Sequence, residues 1–266
     1  MSDDPRDLLE LAVRLAREAG ELARSGRQRA LAAVASKSSP TDPVTELDRA
    51  TESLVRQRLA AERPGDEVLG EEAGSSSGGS GVRWVLDPID GTVNYLYGLP
   101  QYAVSLAVQC QGRTVAGVVR NPESGEEWTA FAGGGAWRGE HRLAGSAVST
   151  LDRALLGTGF GYDSAVRAEQ AAVVAELLPK VRDIRRLGAA SLDLCFAAEG
   201  RLDAYYERGL QPWDLAAGEL IAQEAGLLVT GLAGEPAGAA MTIAAPPDLH
   251  AVLHAELVRL GAAGPA

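Results

Sequence analysis

The chain is poor in the residues that most often do chemistry near neutral pH. Among 266 residues there are two cysteines, Cys110 and Cys195, and three histidines, His141, His250 and His254. Two cysteines far apart in apolar segments assemble neither a disulfide framework nor a zinc cluster, and read as buried free thiols. His250 and His254 stand i and i+4 on a C-terminal helix. With no acidic or thiol partner beside them they read as surface residues, so histidine-based catalysis has thin support. Lysine is confined to Lys37 and Lys180, and the formal net charge is −11. A chain this acidic lacks the clustered basic surface that nucleic acid requires. No apolar run approaches the ~20 residues of a membrane span. The opening Met-Ser-Asp-Asp-Pro-Arg-Asp lacks the basic-then-apolar layout of a secretory signal. The cytoplasm is the expected compartment. No internal repeat is visible.

What is present is a globular composition, 46% hydrophobic and 23% charged, in a chain long enough for one large domain or two modest ones. Apolar spacing predicts a helix over 7–24, ended by Gly26, and a second over 44–61. Leu47, Ala50 and Leu54 form the buried stripe of the second helix, with Asp48 beside it. A short strand at 68–70 runs into Glu71-Glu72, and the Ser/Gly stretch 74–81 reads as a flexible surface loop. Strands at 103–109, 114–120 and 127–132, joined by turns, make an antiparallel α+β half. From residue 153, strands at 154–158, 181–186, 202–206 and 227–230 alternate with helices at 165–178, 189–198 and 214–225. The expected division is an N-terminal α+β half over 1–147 and a C-terminal α/β half over 148–266.

The centre of the chain is Trp84-Val85-Leu86-Asp87-Pro88-Ile89-Asp90-Gly91-Thr92. Trp84 to Leu86 read as a buried strand. Pro88 has no N–H and keeps Asp87 out of helical geometry, so a fixed turn is expected there. Such a turn can aim two carboxylates and the Ile89 carbonyl at one point. Gly91-Thr92 open a short helix through Leu96, whose first N–H groups are free for an anion. Carboxylates for a hard cation beside N–H groups for an anion suggest metal-assisted phosphate chemistry. An Asx turn capping a helix is the plain alternative.

Two more acids fit the same chemistry. Glu71 follows a strand, where ligands gather in sheets, or is a solvated loop residue. Asp214, in Trp213-Asp214-Leu215-Ala216-Ala217-Gly218, heads a helix and also reads as its N-cap. Glu71, Asp87, Asp90 and Asp214 with the Ile89 carbonyl suffice for two Mg²⁺ ions. Two ions ~3.5–4 Å apart can clamp a phosphoryl group and acidify a water.

Taken together, these motifs resemble those of the inositol monophosphatase family of magnesium-dependent, lithium-sensitive phosphatases. The resemblance covers most of the chain. It rests on Gly70-Glu71-Glu72, on the Asp87-Pro88-Ile89-Asp90-Gly91-Thr92 core with Trp84 and Asn94, and on Trp213-Asp214-x-Ala216-x-Gly218. Lys37-Ser38-Ser39-Pro40, Asp42-Pro43-Val44-Thr45 and Asp48 match the family's N-terminal segment. The resemblance implies a layered α/β/α/β/α sandwich. It implies one ion on Glu71, Asp87 and the Ile89 carbonyl, a second on Asp87, Asp90 and Asp214, and a third near Glu71. Asp48 and Thr92 would orient and deprotonate the attacking water, and with Glu71 they are the expected catalytic groups. The Gly91 and Thr92 N–H groups would hold the phosphate, and Lys37 would lie on a loop over the metals. Asp90, Ala190 and Glu207 would contact the leaving polyol.

The expected activity is Mg²⁺-dependent hydrolysis of a small phosphate monoester, inositol 1-phosphate first, with Mn²⁺ also suited to the oxygen ligands. Histidinol phosphate, or a sugar phosphate such as fructose 1,6-bisphosphate, is the alternative substrate. A regulatory binding protein that keeps the fold is the alternative of another class, since some bacterial relatives act on transcription machinery. The family also suggests a homodimer, with the apolar stretch Val104-Ser105-Leu106-Ala107-Val108 either core strand or interface. Beside animal members of the family, the Ser/Gly loop after Glu72 is short and featureless.

Overall fold

The structure, a computed structural model, describes residues 3–35 and 43–263. Two helices open the chain, α1 (Pro5–Ala35) and α2 (Pro43–Glu62). The stop predicted at Gly26 is overturned, because α1 continues past it. Gly26 is there for packing: a Cβ would lie 2.7 Å from Leu47 Cδ1, so the missing side chain lets α1 and α2 approach. Leu8, Ala12, Leu15 and Ala19 form the stripe that α1 buries.

That stripe covers one face of a mixed sheet. Its strands are β1 (Glu67–Gly70), β2 (Gly74–Ser75), β3 (Val82–Asp90), β4 (Ala103–Cys110), β5 (Arg113–Arg120), β6 (Glu127–Phe131), β7 (Gly135–Arg138) and β8 (His141–Arg142), in the order β2-β1-β3-β4-β5-β6-β7-β8. Only the β1–β3 pair is parallel among these. A short helix, α3 (Thr92–Leu96), leaves the end of β3. Side chains alternate across β4: Val104, Leu106 and Val108 pack toward α1, and Ala103 and Ala107 toward the other face. The 104–108 stretch is thus core on both sides.

The second sheet has β9 (Leu155–Thr158), β10 (Asp183–Arg185), β11 (Ala204–Glu207), β12 (Leu228–Thr230) and β13 (Thr242–Ala245), in the order β10-β9-β11-β13-β12. Helices α4 (Ser164–Leu177) and α7 (Pro247–Arg259) cover its outer face through Leu177, Leu249 and Leu253. Helices α5 (Ala190–Glu199) and α6 (Pro212–Glu224) lie between the sheets, in one core with Val85, Trp128, Tyr205 and Ala244. Being covered on both sides, they are apolar nearly all round. The result is the expected five-layer α/β/α/β/α sandwich. No helix among the described residues is long and apolar enough to cross a membrane.

Three local expectations change. The Ser/Gly stretch is anchored: β2 pairs with β1, Ser76 Oγ accepts the Val68 N–H at 3.0 Å, and Ser80 Oγ donates to Asp66 at 2.7 Å. His250 is buried, with its ring 2.9 Å from Thr230 Oγ1 and stacked on His254. Its apolar neighbours on α7 carry it inward. Both cysteines are free thiols, but only Cys195 is fully buried; Cys110 is half-buried.

Candidate active site

Strand register builds the acidic centre. In the parallel β1–β3 pair, Gly70 is level with Leu86, so the next residues, Glu71 and Asp87, emerge side by side. The Glu71 N–H donates back to the Leu86 carbonyl at 3.3 Å. Period-two alternation puts Asp87 on the same face as Val85, the face covered by α6. The strand runs further than Leu86, to Asp90, but its register shifts between Asp87 and Asp90. Pro88 has no N–H for the ladder, and the Ile89 N–H turns to Asp87 Oδ1 at 3.0 Å. That irregularity lets two acids three residues apart face one place.

Asp214 arrives from the opposite layer on the first turn of α6. The N-cap reading shifts: Gln211 is the N-cap, and Asp214 stands at the third helical position of a capping box. One oxygen caps the helix by accepting the Gln211 N–H at 2.7 Å, and the carboxylate also joins Asp87 and Asp90. Oxygens of Asp87, Asp90 and Asp214 all lie within 4.8 Å of one another. Asp87 is in hydrogen-bonding reach of both Glu71 and Asp214.

Carboxylates this near one another disfavour full ionisation without a cation. Burial, then the charges of Asp90, Glu71, Asp214 and Asp48, push Asp87 well above the ordinary range. Burial and the Asp214 charge raise Asp90 to about 7, although Ser191 holds it down. Partial burial and the Asp214 charge also raise Glu71, which keeps much of its surface open, to about 7. Asp214 moves up by burial, opposed by the Gln211 N–H. The all-oxygen donor set suits a hard divalent cation, whose charge would reverse these shifts.

Asp90 is gripped by the start of α5. The Ala190 N–H donates to Oδ1 at 3.3 Å, the Ser191 N–H to Oδ2 at 2.8 Å, and the Ser191 hydroxyl to the same oxygen. Sequence reasoning placed Ala190 here but missed Ser191. Its signal was a small hydroxyl residue in a first helical turn, where such residues commonly cap.

Helix α3 begins at the same point. Gly91, with φ at +90°, takes a conformation that suits glycine, and a Cβ there would lie 2.8 Å from the Gln101 carbonyl. The Thr92 hydroxyl donates to the Ile89 carbonyl at 3.2 Å. Behind α3, Arg27 Nε donates to the Tyr95 carbonyl and Nη2 to the Asn94 carbonyl, each at 3.1 Å. The guanidinium also lies over the Tyr95 and Tyr102 rings, so α1 holds α3 in place.

These groups open onto a cavity of about 320 Å³. Glu71, Asp87, Ile89, Asp90, Gly91, Thr92, Ala190, Glu207 and Asp214 all line it. Asp48 is buried on α2, close enough for its charge to raise Asp87, but does not line the cavity. Lys37 lies outside the described residues. Glu207, near enough to Asp90 for its charge to act there, takes a 2.6 Å hydrogen bond from the Tyr205 hydroxyl; burial still lifts it to about 7. Phe160, Tyr162, Arg186 and Arg208 also line the cavity. No motif pointed to them, because each reaches the cavity from a loop or strand end set by tertiary structure.

The model of the inositol monophosphatase family matches residues 4–262. An inositol-1-monophosphatase of Mycobacterium bovis is 46% identical, over 99% of this chain and 97% of its own. The Nus factor SuhB of Escherichia coli K12 is 40% identical, over 85% of this chain and 86% of its own. The solved structure of Mycobacterium tuberculosis SuhB superposes with a TM-score of 0.85 at 46% identity, covering 97% of this chain and 98% of its own. With the acidic centre, the fold and these likenesses in agreement, the chain belongs to the inositol monophosphatase family.

Proposed function

We propose that this phosphomonoesterase is Mg²⁺-dependent and hydrolyses inositol 1-phosphate to inositol and phosphate. The observation that carries the reading is the convergence of Asp87, Asp90 and Asp214, with Glu71 beside Asp87, in a cavity that Glu207 also lines. Glu71, Asp87 and the Ile89 carbonyl would hold one ion, and Asp87, Asp90 and Asp214 a second, with Asp87 shared and a third ion near Glu71. Bound Mg²⁺ supplies charge to the phosphoryl oxygens and lowers the pKa of water; Mn²⁺ is chemically similar.

The chain's own groups supply the rest. The Thr92 hydroxyl orients the attacking water and passes its proton toward the Asp48 carboxylate. The Gly91 and Thr92 N–H groups receive phosphate oxygens at the start of α3. Asp90, the Ala190 backbone and Glu207 meet the leaving group, a carboxylate such as Glu207 being an acceptor for polyol hydroxyls. Lys37 would offset the carboxylate charge. We take the active form to be a cytoplasmic homodimer, which sedimentation analysis checks.

Phosphate release with Mg²⁺ from inositol 1-phosphate, histidinol phosphate, fructose 1,6-bisphosphate and adenosine 3′,5′-bisphosphate tests the substrate. Preference for inositol 1-phosphate supports the reading, and preference for another member replaces it. A binding role is the second reading, favoured by the likeness to a relative named a Nus factor. Metal binding without turnover on any of the panel would put it first.

A further inference from the structure

An ion pair outside the cavity, buried on its Glu52 side and half-buried on its Arg56 side, grips the turn that follows β1. Glu52 on α2 is 1% exposed. Its Oε2 accepts the Glu72 N–H at 2.9 Å and its Oε1 the Ala73 N–H at 3.1 Å. Arg56, one helical turn on, donates from Nε to Glu52 Oε1 at 2.7 Å. The same guanidinium donates to the Val68 carbonyl at 3.3 Å and to the Gly74 carbonyl. Two side chains therefore satisfy backbone groups on both sides of Glu71. Gly70 makes room for them, since a Cβ there would lie 2.4 Å from the Glu52 carboxylate. Its backbone is not left-handed, so glycine is required for space and not for conformation.

Neither Glu52 nor Arg56 lines the cavity or takes part in the chemistry above. Glu71 itself is exposed, on a long flexible side chain. What aims it at Asp87 is the backbone that carries it. We propose that the Glu52–Arg56 pair is the positioning device for Glu71, and that it sets the affinity of the ion Glu71 and Asp87 would share. The proposal rests on the reading of Glu71 and Asp87 as ligands. Groups that fix a ligand's orientation typically govern about 10–100-fold in metal affinity. Asp48 and Glu52 lie i and i+4, so one face of α2 carries both behind the cavity wall.

The test is calorimetric Mn²⁺ binding to the chelated full chain without substrate, for wild type, Glu71→Gln, Glu52→Gln and Arg56→Met. Cooperative thermal unfolding serves as the check on folding. The expected result is weaker binding in Glu71→Gln, and about 10–100-fold weaker binding in both clamp variants. The apparent metal half-saturation in turnover should rise by the same factor. Clamp variants that bind within about twofold of wild type, while Glu71→Gln binds weakly, would make the pair a stability element only and overturn the proposal. Wild-type binding by Glu71→Gln would instead overturn the ligand reading, and the clamp's role in affinity with it. If Glu52→Gln does not fold, Arg56→Met decides, since it leaves Glu52 its N–H donors.

Discussion

Chelated protein should lose heat stability as the pH rises, and Mg²⁺ should restore it. Buried Asp87 and Glu207 move the same way, and the share worked here is that of Asp90, which is buried with its carboxyl raised from 3.8 to about 7. The folded state keeps a proton that the unfolded chain gives up. Stability is therefore complete below the unfolded pKa of 3.8 and is lost as the pH climbs through about 7. At about pH 5 part of the loss has occurred; the remaining two units, at about 1.4 kcal/mol each, amount to about 3 kcal/mol by about pH 8. At about 2–4 °C per kcal/mol for a chain of this size, Tm should fall by about 6–12 °C. Glu71 moves in the same direction but is exposed, and screening leaves it out of the sum. His250 works against the trend: burial lowers its pKa, so it gains stability as the pH rises. The quantity to read is therefore the difference between wild type and Asp90→Asn, by scanning calorimetry in EDTA at fixed ionic strength. A wild-type Tm that stays flat relative to Asp90→Asn would refute the electrostatic reasoning. So would an equal slope in saturating Mg²⁺, which should bind the ionised cluster and stabilise the folded state.

Thr92→Ala should lower kcat by about 10²–10⁴-fold, in the range of a lost proton-transfer group, while Mn²⁺ affinity measured by calorimetry changes little. Gly91→Ala forces a side chain into a left-handed backbone and toward the Gln101 carbonyl, and should destabilise the chain by about 1–3 kcal/mol in urea unfolding. Glu207→Gln should raise KM for inositol 1-phosphate by about 10–100-fold, as expected for one charged hydrogen bond. For phenyl phosphate, which has no polyol, the same variant should change KM much less.

Much of this site is legible in the sequence because its residues sit in local motifs. Asp87, Ile89, Asp90, Gly91 and Thr92 are near neighbours in sequence, and the proline between the acids announces the broken ladder that aims them. Strand and helix ends placed Glu71 and Asp214 with equal economy. Groups that act across the fold left no such trace. Ser191 touches Asp90 from 101 positions away, and Arg27 holds α3 from 68 positions before Tyr95. Glu52 looks like one more solvated helix glutamate until the turn it grips is in view. Gly26 misled for the same reason, since a helix stop and a close helix contact call for the same residue. His250 read as exposed because its cover comes from β12, an element distant in sequence. β13 was not predicted, although its four residues are all buried, because a short apolar run beside Gly and Ala carries no period.

The most direct measurement is an Mg²⁺ titration of phosphate release from inositol 1-phosphate by EDTA-treated protein. The account predicts no turnover without metal and a saturable rise as Mg²⁺ is added, with Asp87→Asn remaining inactive at every concentration. Turnover that persists in excess EDTA, or an Asp87→Asn enzyme that titrates like wild type, would contradict it.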